Sequence, residues 1–240
     1  MACMVITALD RQIGHEGLQA CRLFADLDDR SLDLCIDAMR QRRSRRGEVI
    51  FHVGDPADAL FVVVSGSVKV VLPSDDGAEP AILATIGPGG FFGELSLLDG
   101  APRSATVEAL ETTVALILRR DAFDRLLDAE PDMRRALLAS LATEIRRLTA
   151  QVEDLHFLDL PGRLANHILR AIGSDDGGPP PGEAHLPWPY TQAELAGMIG
   201  GSRQSVNRLL SELVSDGILR FDGDSLVVPD PGRLAEAAHR

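Results

Sequence analysis

Six short apolar runs separated by glycine-rich turns lie between Glu48 and Leu118, and they constrain the fold more than any other feature of the sequence. Valine, isoleucine and phenylalanine dominate these runs, which have the length of β-strands: 48–52, 59–65, 67–72, 81–86, 104–110 and 113–118. Many short strands at close spacing are typical of a β-sandwich or barrel. Amphipathic helical patterns flank the block on both sides, so the sequence predicts an α+β chain with a β-rich core.

The composition excludes several classes of protein. Apolar residues make up 45% of the 240 residues and charged residues 25%, as expected for a folded chain of one or two domains. Uncharged stretches are shorter than the ~20 apolar residues that a membrane span needs. The N-terminus lacks the basic and apolar segments of a secretory signal. We therefore expect a cytoplasmic protein with no membrane partner.

Neither the cysteines nor the histidines indicate a metal site. Cys3, Cys21 and Cys35 form no Cys-x-x-Cys pair, and the histidines have no third ligand at metal spacing. Catalytic signatures such as a Gly-x-Ser-x-Gly turn, a His-Glu-x-x-His helix or a P-loop are also absent from the sequence. The sequence therefore predicts neither a bound metal nor an enzyme.

A heptad pattern of apolar residues follows the β-rich block. Its members are spaced 3, 4, 3, 4 and 3 residues apart: Leu138, Leu141, Ile145, Leu148, Val152 and Leu155. This period predicts a long helix that packs against a partner helix, most simply that of a second copy of the chain. The alternative is that the stripe packs on the β-domain of its own chain, although core-facing stripes are usually broader. After the pattern, Asp159 and Pro161 predict a helix cap, a first helical turn and a domain hinge.

The C-terminal segment has the pattern of a helix-turn-helix followed by a two-stranded wing. Residues 173–182 have the composition of a loop. Thr191 and Glu194 predict a capping box, and Gly200-Gly201 separates the first short helix from a second that begins at Ser202. Residues 217–228 then read as two strands joined by an Asp-Gly turn.

The charge balance limits how this chain could bind nucleic acid. Basic residues number 24 and acidic residues 36, and the net charge of −12 opposes long-range attraction to DNA and to anionic membranes. The densest basic run, residues 40–46, is expected to be the solvated end of a helix without a role in a site. Any contact with nucleic acid must therefore come from a local patch.

Residues 92–107 combine groups that an anionic sugar ligand would need. A short helix after Gly93 would direct amides towards an anion, and Arg103 could bind two phosphate oxygens while Ser104 adds a hydroxyl donor. Glu94 could accept a hydrogen bond from a sugar hydroxyl. Each residue is common by itself, so these groups alone do not establish a ribose-phosphate pocket.

Four features in this order resemble a known family. Residues 47–107 resemble the cyclic-nucleotide-binding domain, and the stretch from Gly93 to Ala105 is similar to its phosphate-binding cassette. The heptad helix, the hinge at Phe157-Leu158-Asp159 and the winged helix-turn-helix extend the similarity to roughly residues 20–230. The chain is thereby identified as a member of the cyclic-AMP receptor protein/FNR family of bacterial transcription regulators.

The resemblance implies a domain order and a set of partners. The segments would be an N-terminal tail (1–20), a jelly-roll cyclic-nucleotide-binding domain (21–128), a dimerisation helix (129–159) and a winged helix-turn-helix DNA-binding domain (160–240). The protein would be a homodimer that binds double-stranded DNA at a two-fold symmetric operator and contacts RNA polymerase. Its allosteric ligand would be cyclic AMP, or as second choice cyclic GMP. Two alternatives are a family regulator with a vestigial pocket and a cyclic-nucleotide module that acts through protein partners.

The resemblance also implies which residues bind the nucleotide. Glu94 would bind the ribose 2′-hydroxyl and Arg103 the cyclic phosphate, and Thr149 would reach the base bound by the other subunit. Leu148 departs from the polar residue usual at its position, so base selectivity stays open. The residues implied to contact the cyclic nucleotide are Gly93, Glu94, Leu95, Arg103, Ser104 and Thr149.

The helix-turn-helix pattern and the family resemblance together imply which residues contact DNA. Arg203, Gln204 and Arg208 of the second helix would reach base edges in the major groove. Thr191 and Ser202 would bind backbone phosphates. Because Gln204 stands where the family commonly has glutamate, the operator is expected to be related to the usual one but not identical.

Overall fold

The computed structural model describes residues 8–74, 80–173 and 182–238. Its helices are α1 (Ala8–Ala20), α2 (Asp29–Ala38), α3 (Leu95–Asp99), α4 (Arg120–Ala129), α5 (Pro131–Phe157), α6 (Leu160–Ile172), α7 (Gln192–Ile199), α8 (Arg203–Ser215) and α9 (Pro231–Ala237). Its strands are β1 (Met39–Ser44), β2 (Val49–Phe51), β3 (Ala59–Ser65), β4 (Val68–Leu72), β5 (Ala81–Ile86), β6 (Phe91–Phe92), β7 (Thr106–Ala109), β8 (Thr113–Arg119), β9 (Ala184–Pro187), β10 (Arg220–Asp222) and β11 (Ser225–Val228).

The structure divides into two compact units, and the boundary falls inside α5 between Ile145 and Arg146. The first unit holds two four-stranded sheets, with strand orders β1-β8-β3-β6 and β2-β7-β4-β5. The second holds helices α6 to α9 and a three-stranded sheet of order β10-β11-β9. The predicted fold class, a β-rich N-terminal domain followed by a long helix and a helix-turn-helix, is confirmed.

Strand β3 explains why the centre of the first unit reads as a continuous apolar run. Leu60 and Val62 point into a core shared with α1, α2 and α4, whereas Phe61 and Val63 point into a second core shared with the opposite sheet. Successive side chains of a strand point to opposite faces. Because both faces of β3 are covered, its first six positions, 59–64, are all apolar.

The expectation of an N-terminal tail over residues 1–20 is wrong for residues 8–20, which form α1. Leu18 is fully buried in the helix-side core. A Cβ at Gly17 would stand 3.0 Å from the side chain of Val64 on β3, so the helix needs a small residue to approach the sheet. Glycine lowers helix propensity, and this weakened the helical pattern in the sequence.

The basic run at residues 40–46 is not a helix end, because most of it belongs to β1. This strand pairs with β8 from Met39 to Ser44, and both of these end residues are buried. Arg42 donates a hydrogen bond to the Glu48 carboxylate at 3.1 Å. Since β1 lies at the edge of its sheet, its exposed arginines disfavour pairing with another chain. Pairing with β8 overrides a pattern that by itself does not predict a strand.

The junction between α5 and α6 has the predicted chemistry. Helix α5 ends at Phe157, and the Asp159 carboxylate accepts a hydrogen bond from the Gly162 amide at 2.9 Å. Pro161 lies in the first turn of α6. The predicted cap and first turn are therefore confirmed.

The second unit contains the predicted helix-turn-helix. Thr191 and Glu194 form the capping box of α7. Gly200 ends that helix with a φ of +68°, a backbone conformation that favours glycine. A Cβ at Gly201 would stand 2.8 Å from Cδ1 of Leu160, so the turn packs closely on α6.

The wing has one strand more than the sequence predicted. Strand β9 pairs with β11 along its whole length, from Ala184 opposite Val228 to Pro187 opposite Ser225. Its four residues, Ala-His-Leu-Pro, show no clear alternation and follow a segment rich in glycine and proline. Most of the loop predicted at 173–182 lies outside the described residues.

Among the helices that the structure describes, none combines the length and apolar character needed to cross a membrane.

Candidate functional site

The cassette, residues 93–105, begins at the turn between β6 and α3 and ends at the start of β7, in the first unit. Gly93 follows β6 directly and has a φ of +86°. A Cβ at this position would stand 2.6 Å from Nη1 of Arg103. Glycine is therefore required both by its backbone conformation and by the close approach of the guanidinium.

Arg103 is buried, with 4% of its surface exposed, although it carries a charge. Its Nη1 donates to the carbonyl oxygen of Gly93 and its Nη2 to that of Ala59, each at 2.7 Å. The guanidinium carbon lies 4.2 Å from the ring centroid of Phe51, a favourable cation–π geometry. The Arg103 amide donates to the carbonyl oxygen of Asp55 at 3.0 Å, so backbone and side chain are both fixed.

One donor of this fixed guanidinium lacks an acceptor. The Nε atom of Arg103 is buried and has no hydrogen-bond partner within the described residues. Leaving a buried donor unpaired costs roughly 1–3 kcal/mol, and more for a charged group. An anionic oxygen at this position would remove that cost.

Burial shifts the pKa of two cassette residues, Glu94 and Arg103, in the direction that favours the neutral form. Burial raises the pKa of Glu94, the charge of Glu144 raises it further, and the charge of Arg103 opposes the rise. Burial also lowers the pKa of Arg103, with Asp58 and Glu94 opposing. Both shifts arise because the site is poorly solvated. A bound anion would stabilise the charged form of Arg103.

The remaining predicted nucleotide contacts occupy different environments. Leu95 begins α3 and Ser104 follows Arg103, and both side chains are exposed. Ser96, between them in the chain, donates to the carbonyl oxygen of Pro102 at 3.2 Å and so ties α3 to the loop before Arg103. Thr149 is exposed on α5, in the second unit.

Arg120 supports the cassette, and sequence reasoning missed it. Its Nη1 donates to the carbonyl oxygen of Leu97 at 2.9 Å, and its Nη2 donates to those of Ser96 at 2.9 Å and Ala57 at 3.2 Å. The guanidinium thus joins α3 to the turn before β3. The chain gives no local signal for this role, since Arg120 is one of two arginines at a strand-helix junction.

The heptad residues of α5 form an exposed apolar seam, which we define as Leu138, Leu141, Ile145, Leu148, Val152 and Leu155. Five of them are between 37% and 67% exposed. Leu141 alone is partly buried against the core of the first unit. Contiguous exposed apolar surface marks interaction sites. Packing on the β-domain of the same chain, the alternative left open by the sequence, therefore accounts for one seam residue of six.

Helix α8 presents the predicted base-reading residues to solvent. Arg203, Gln204 and Arg208 are exposed, whereas Val206 and Leu209 face the core of the second unit. The Nε atom of Arg208 lies 3.8 Å from the Glu212 carboxylate on the same helix. These side chains are available to a ligand without rearrangement of the core.

The two predicted phosphate contacts are also helix caps. The Ser202 hydroxyl accepts a hydrogen bond from the Ser205 amide at 3.1 Å. The Thr191 hydroxyl accepts one from the Glu194 amide at 3.2 Å. Both caps lie where helix dipoles are positive, which is favourable for a phosphate.

The cysteines that the structure describes are structural. Cys21 and Cys35 lie in the core of the first unit, and burial raises their thiol pKa to about 11 and about 12, respectively. Such thiols are not reactive at neutral pH. Cys3 lies outside the described residues. Within those residues, no group of three or more histidine, cysteine, aspartate or glutamate side chains could hold a metal ion.

Comparison with known proteins identifies the family. A family model described as the cyclic nucleotide-binding domain matches residues 41–130, and one described as the Crp-like helix-turn-helix domain matches residues 162–237. The chain is 34% identical over 196 residues to the CRP-like cAMP-activated global transcriptional regulator of Mycobacterium tuberculosis, covering 80% of this chain and 85% of that protein. The chain belongs to the cyclic-AMP receptor protein/FNR family of transcription regulators.

Further similarity supports this family assignment. The cyclic AMP receptor protein of Thermus thermophilus is 32% identical over 219 residues, covering 90% of this chain and 96% of that protein. The structure of FixK2 from Bradyrhizobium japonicum has a TM-score of 0.71 and 25% identity, covering 82% of this chain and 96% of that chain. As a member of the cyclic-AMP receptor protein/FNR family, the protein is a DNA-binding transcription regulator with a cyclic-nucleotide-binding domain, and not an enzyme.

Proposed function

We propose that the protein is a homodimeric transcription regulator whose binding to DNA is controlled by cyclic AMP. The observation that carries the ligand part is the buried guanidinium of Arg103, held by two carbonyl oxygens, with its Nε unpaired among the described residues. A cyclic phosphate carries one negative charge and two exocyclic oxygens. Arg103 can donate to one of these oxygens while Ser104 donates to the other.

The sugar and base are assigned to other groups. Glu94, partly buried and electrostatically coupled to Arg103, would accept a hydrogen bond from the ribose 2′-hydroxyl. Cyclic AMP is preferred to cyclic GMP because the mycobacterial and Thermus relatives are named for cyclic AMP. A contact between Thr149 of a second copy and the base remains a prediction from the family resemblance.

Dimer formation is inferred from the seam on α5. Its exposed apolar side chains have the 3.5-residue period of paired helices. A symmetric dimer would place two copies of α8 against successive major grooves, ~34 Å apart, on a two-fold symmetric operator. If the nucleotide binds one arrangement of the paired helices better, it shifts the population towards that arrangement. RNA polymerase as a partner and the cytoplasm as the compartment belong to the same proposal.

Calorimetric titration tests the ligand site. Arg103→Ala should weaken cyclic AMP binding about 10- to 150-fold, because one charge-assisted hydrogen bond contributes roughly 1.5–3 kcal/mol. Arg125→Ala is the matched control, since Arg125 is exposed and pairs with Asp121 at 3.3 Å on the same helix. Its affinity should stay within about 2-fold, as expected when an exposed ion pair contributes little. Unchanged affinity in a folded Arg103→Ala protein would refute the pocket.

Selection of bound DNA from a random pool, with and without each nucleotide, tests the regulatory part. The proposal predicts one two-fold symmetric sequence, bound more tightly when cyclic AMP is present. A regulator with a vestigial pocket would select the same sequence under all conditions. A module that acts through protein partners would select none.

A further inference from the structure

We infer that Asn207 is a fourth base-reading side chain on α8 and that Gln192, on α7, fixes its orientation. The Nε2 atom of Gln192 donates a hydrogen bond to Oδ1 of Asn207 at 3.0 Å. Asn207 is exposed, and Gln192 is partly buried at the start of α7. This inference rests on the DNA binding described above and deepens it by adding a specificity-determining residue.

The geometry of α8 places Asn207 among the predicted base contacts. Residues three and four positions apart are neighbours on a helix surface. Asn207 is four residues after Arg203 and three after Gln204, so it stands one turn further along the same face. With about 100° of rotation per residue, the side chains from Arg203 to Arg208 that face solvent span an arc of about 140°. Asn207 lies inside this arc, and the buried Val206 lies outside it.

The bond to Gln192 orients Asn207 without using up its recognition groups. An exposed asparagine loses rotamer freedom when it contacts a base, and a side chain held before binding loses less. The Oδ1 atom has a second lone pair, and the Nδ2 atom carries two donors that this bond does not use. The amide can therefore accept from N6 of adenine while donating to N7. We assign Asn207 to an adenine in each half-site.

Two other roles of the pair predict different behaviour. If the hydrogen bond only joins α7 to α8, its loss would lower stability but leave base preference unchanged. If Asn207 contacts a phosphate, its loss would weaken binding to all sequences equally. Only a base contact changes the preference at a single position.

The test is operator selection from a random DNA pool, with the full chain and cyclic AMP, for the wild type and four variants. Asn207→Ala should lower the preference for adenine at one position of each half-site about 5- to 100-fold, the range for one bidentate contact. Asn207→Asp should shift that position towards cytosine, because a carboxylate accepts from N4. Gln192→Ala should broaden the same position by a few-fold. Ser215→Ala, an exposed control near the end of α8, should leave every position unchanged.

Several outcomes overturn the inference. Identical base preferences for the wild type and a folded Asn207→Ala variant would reduce the pair to a link between helices. A uniform loss of affinity over all sequences would make Asn207 a phosphate contact. Neither of these two results would contradict the proposal that the protein binds DNA through α8. If the wild type selects no sequence at all, DNA recognition by α8 fails and this inference fails with it.

Discussion

Two regions of the protein are expected to use arginine side chains for recognition, one of a nucleotide and the other of DNA, and they are built in opposite ways. In the cassette, Arg103 is buried and both Nη atoms are bonded to carbonyl oxygens. On α8, Arg203 and Arg208 are exposed, and Arg208 lies 3.8 Å from a carboxylate of its own helix. Folding has already ordered and desolvated the first guanidinium, whereas the others would be ordered only when DNA binds.

This difference determines how each region obtains its affinity. A small ligand in a pre-ordered site can be held by a few strong contacts, so the loss of one residue is severe. Exposed arginines contribute less individually and are screened by salt. The acidic protein, with its net charge of −12, gains little from general attraction to DNA. In the proposed dimer, two copies of α8 that bind together would supply the affinity that general attraction does not.

The largest expected effect separates the two regions by breaking the seam. Ile145→Asp removes an apolar side chain that is 65% exposed in the single chain and places two carboxylates opposite each other in a dimer. Burial of such a side chain contributes about 1.5–3 kcal/mol in each copy. We expect the dimer dissociation constant to rise at least about 100-fold by analytical ultracentrifugation. Operator affinity should fall by a similar factor.

Nucleotide binding should respond much less to this change. The proposed contacts with the phosphate and the ribose lie within one chain. The affinity of Ile145→Asp for cyclic AMP should therefore fall by less than about 10-fold, which corresponds to the loss of a single hydrogen bond from the partner copy. Arg146→Asp, an exposed neighbour outside the seam, is the control and should remain dimeric. An Ile145→Asp protein that stays dimeric would show that the seam is not the interface.

The next effect tests whether the cassette is pre-ordered by its surroundings. Arg120→Ala removes the donors to the carbonyl oxygens of Ser96, Leu97 and Ala57 and so unties α3 from the turn before β3. We expect about a 10-fold weaker affinity for cyclic AMP and a loss of roughly 1–3 kcal/mol in the free energy of unfolding. Arg119→Ala, at the neighbouring exposed arginine, should change neither. Stability lost without a change in affinity would make Arg120 a purely structural residue.

Features stabilised by residues close together in the chain could be predicted from the sequence, and features stabilised by distant residues could not. The caps at Asp159 and Thr191 and the apolar run of β3 were predictable, because the residues that stabilise them are neighbours in the chain. Strand β1 was not predictable, because its pairing partner β8 begins about seventy residues later.

The candidate site follows the same division. The resemblance identified Glu94 and Arg103 by their order in the chain. It gave no indication that Arg103 would stack on Phe51 or that Arg120 would bind carbonyl oxygens of α3. These contacts join residues more than twenty positions apart, and only the folded chain brings them together.

A smaller effect concerns pH, which should act on the cassette and not on α8. Because the pKa of Glu94 is raised above its ordinary value of 4.5 by burial, part of the carboxyl becomes protonated as pH falls towards that value. A protonated carboxyl is a weaker acceptor for the ribose hydroxyl. Affinity for cyclic AMP should therefore fall between pH 7.5 and pH 5, by at most about 5-fold, which is roughly the value of one hydrogen bond.

The stability of the ligand-free protein should change in the opposite direction. With a raised pKa, folded Glu94 binds more protons than unfolded Glu94, so its contribution to stability increases as pH falls and is lost as pH rises through the folded pKa. Glu94→Gln should remove both dependences in titrations of cyclic AMP and in urea unfolding. An unchanged pH profile in Glu94→Gln would assign the titration to another group.

The smallest effect separates the two roles assigned to Ser202. Ser202→Ala should lower the free energy of unfolding of the second unit by about 1 kcal/mol, the usual value of a helix cap. The fluorescence of Trp188, the single tryptophan of the chain, packed against the core of that unit, can follow the transition. Ser202→Asp should keep the cap, because aspartate accepts the same amide hydrogen bond. It should nevertheless weaken operator binding more than alanine does, because its charge repels the phosphate. If aspartate restores operator affinity together with stability, Ser202 affects DNA binding only by capping α8. DNA recognition by α8 would then depend on a helix ordered before binding, as nucleotide recognition depends on the ordered cassette.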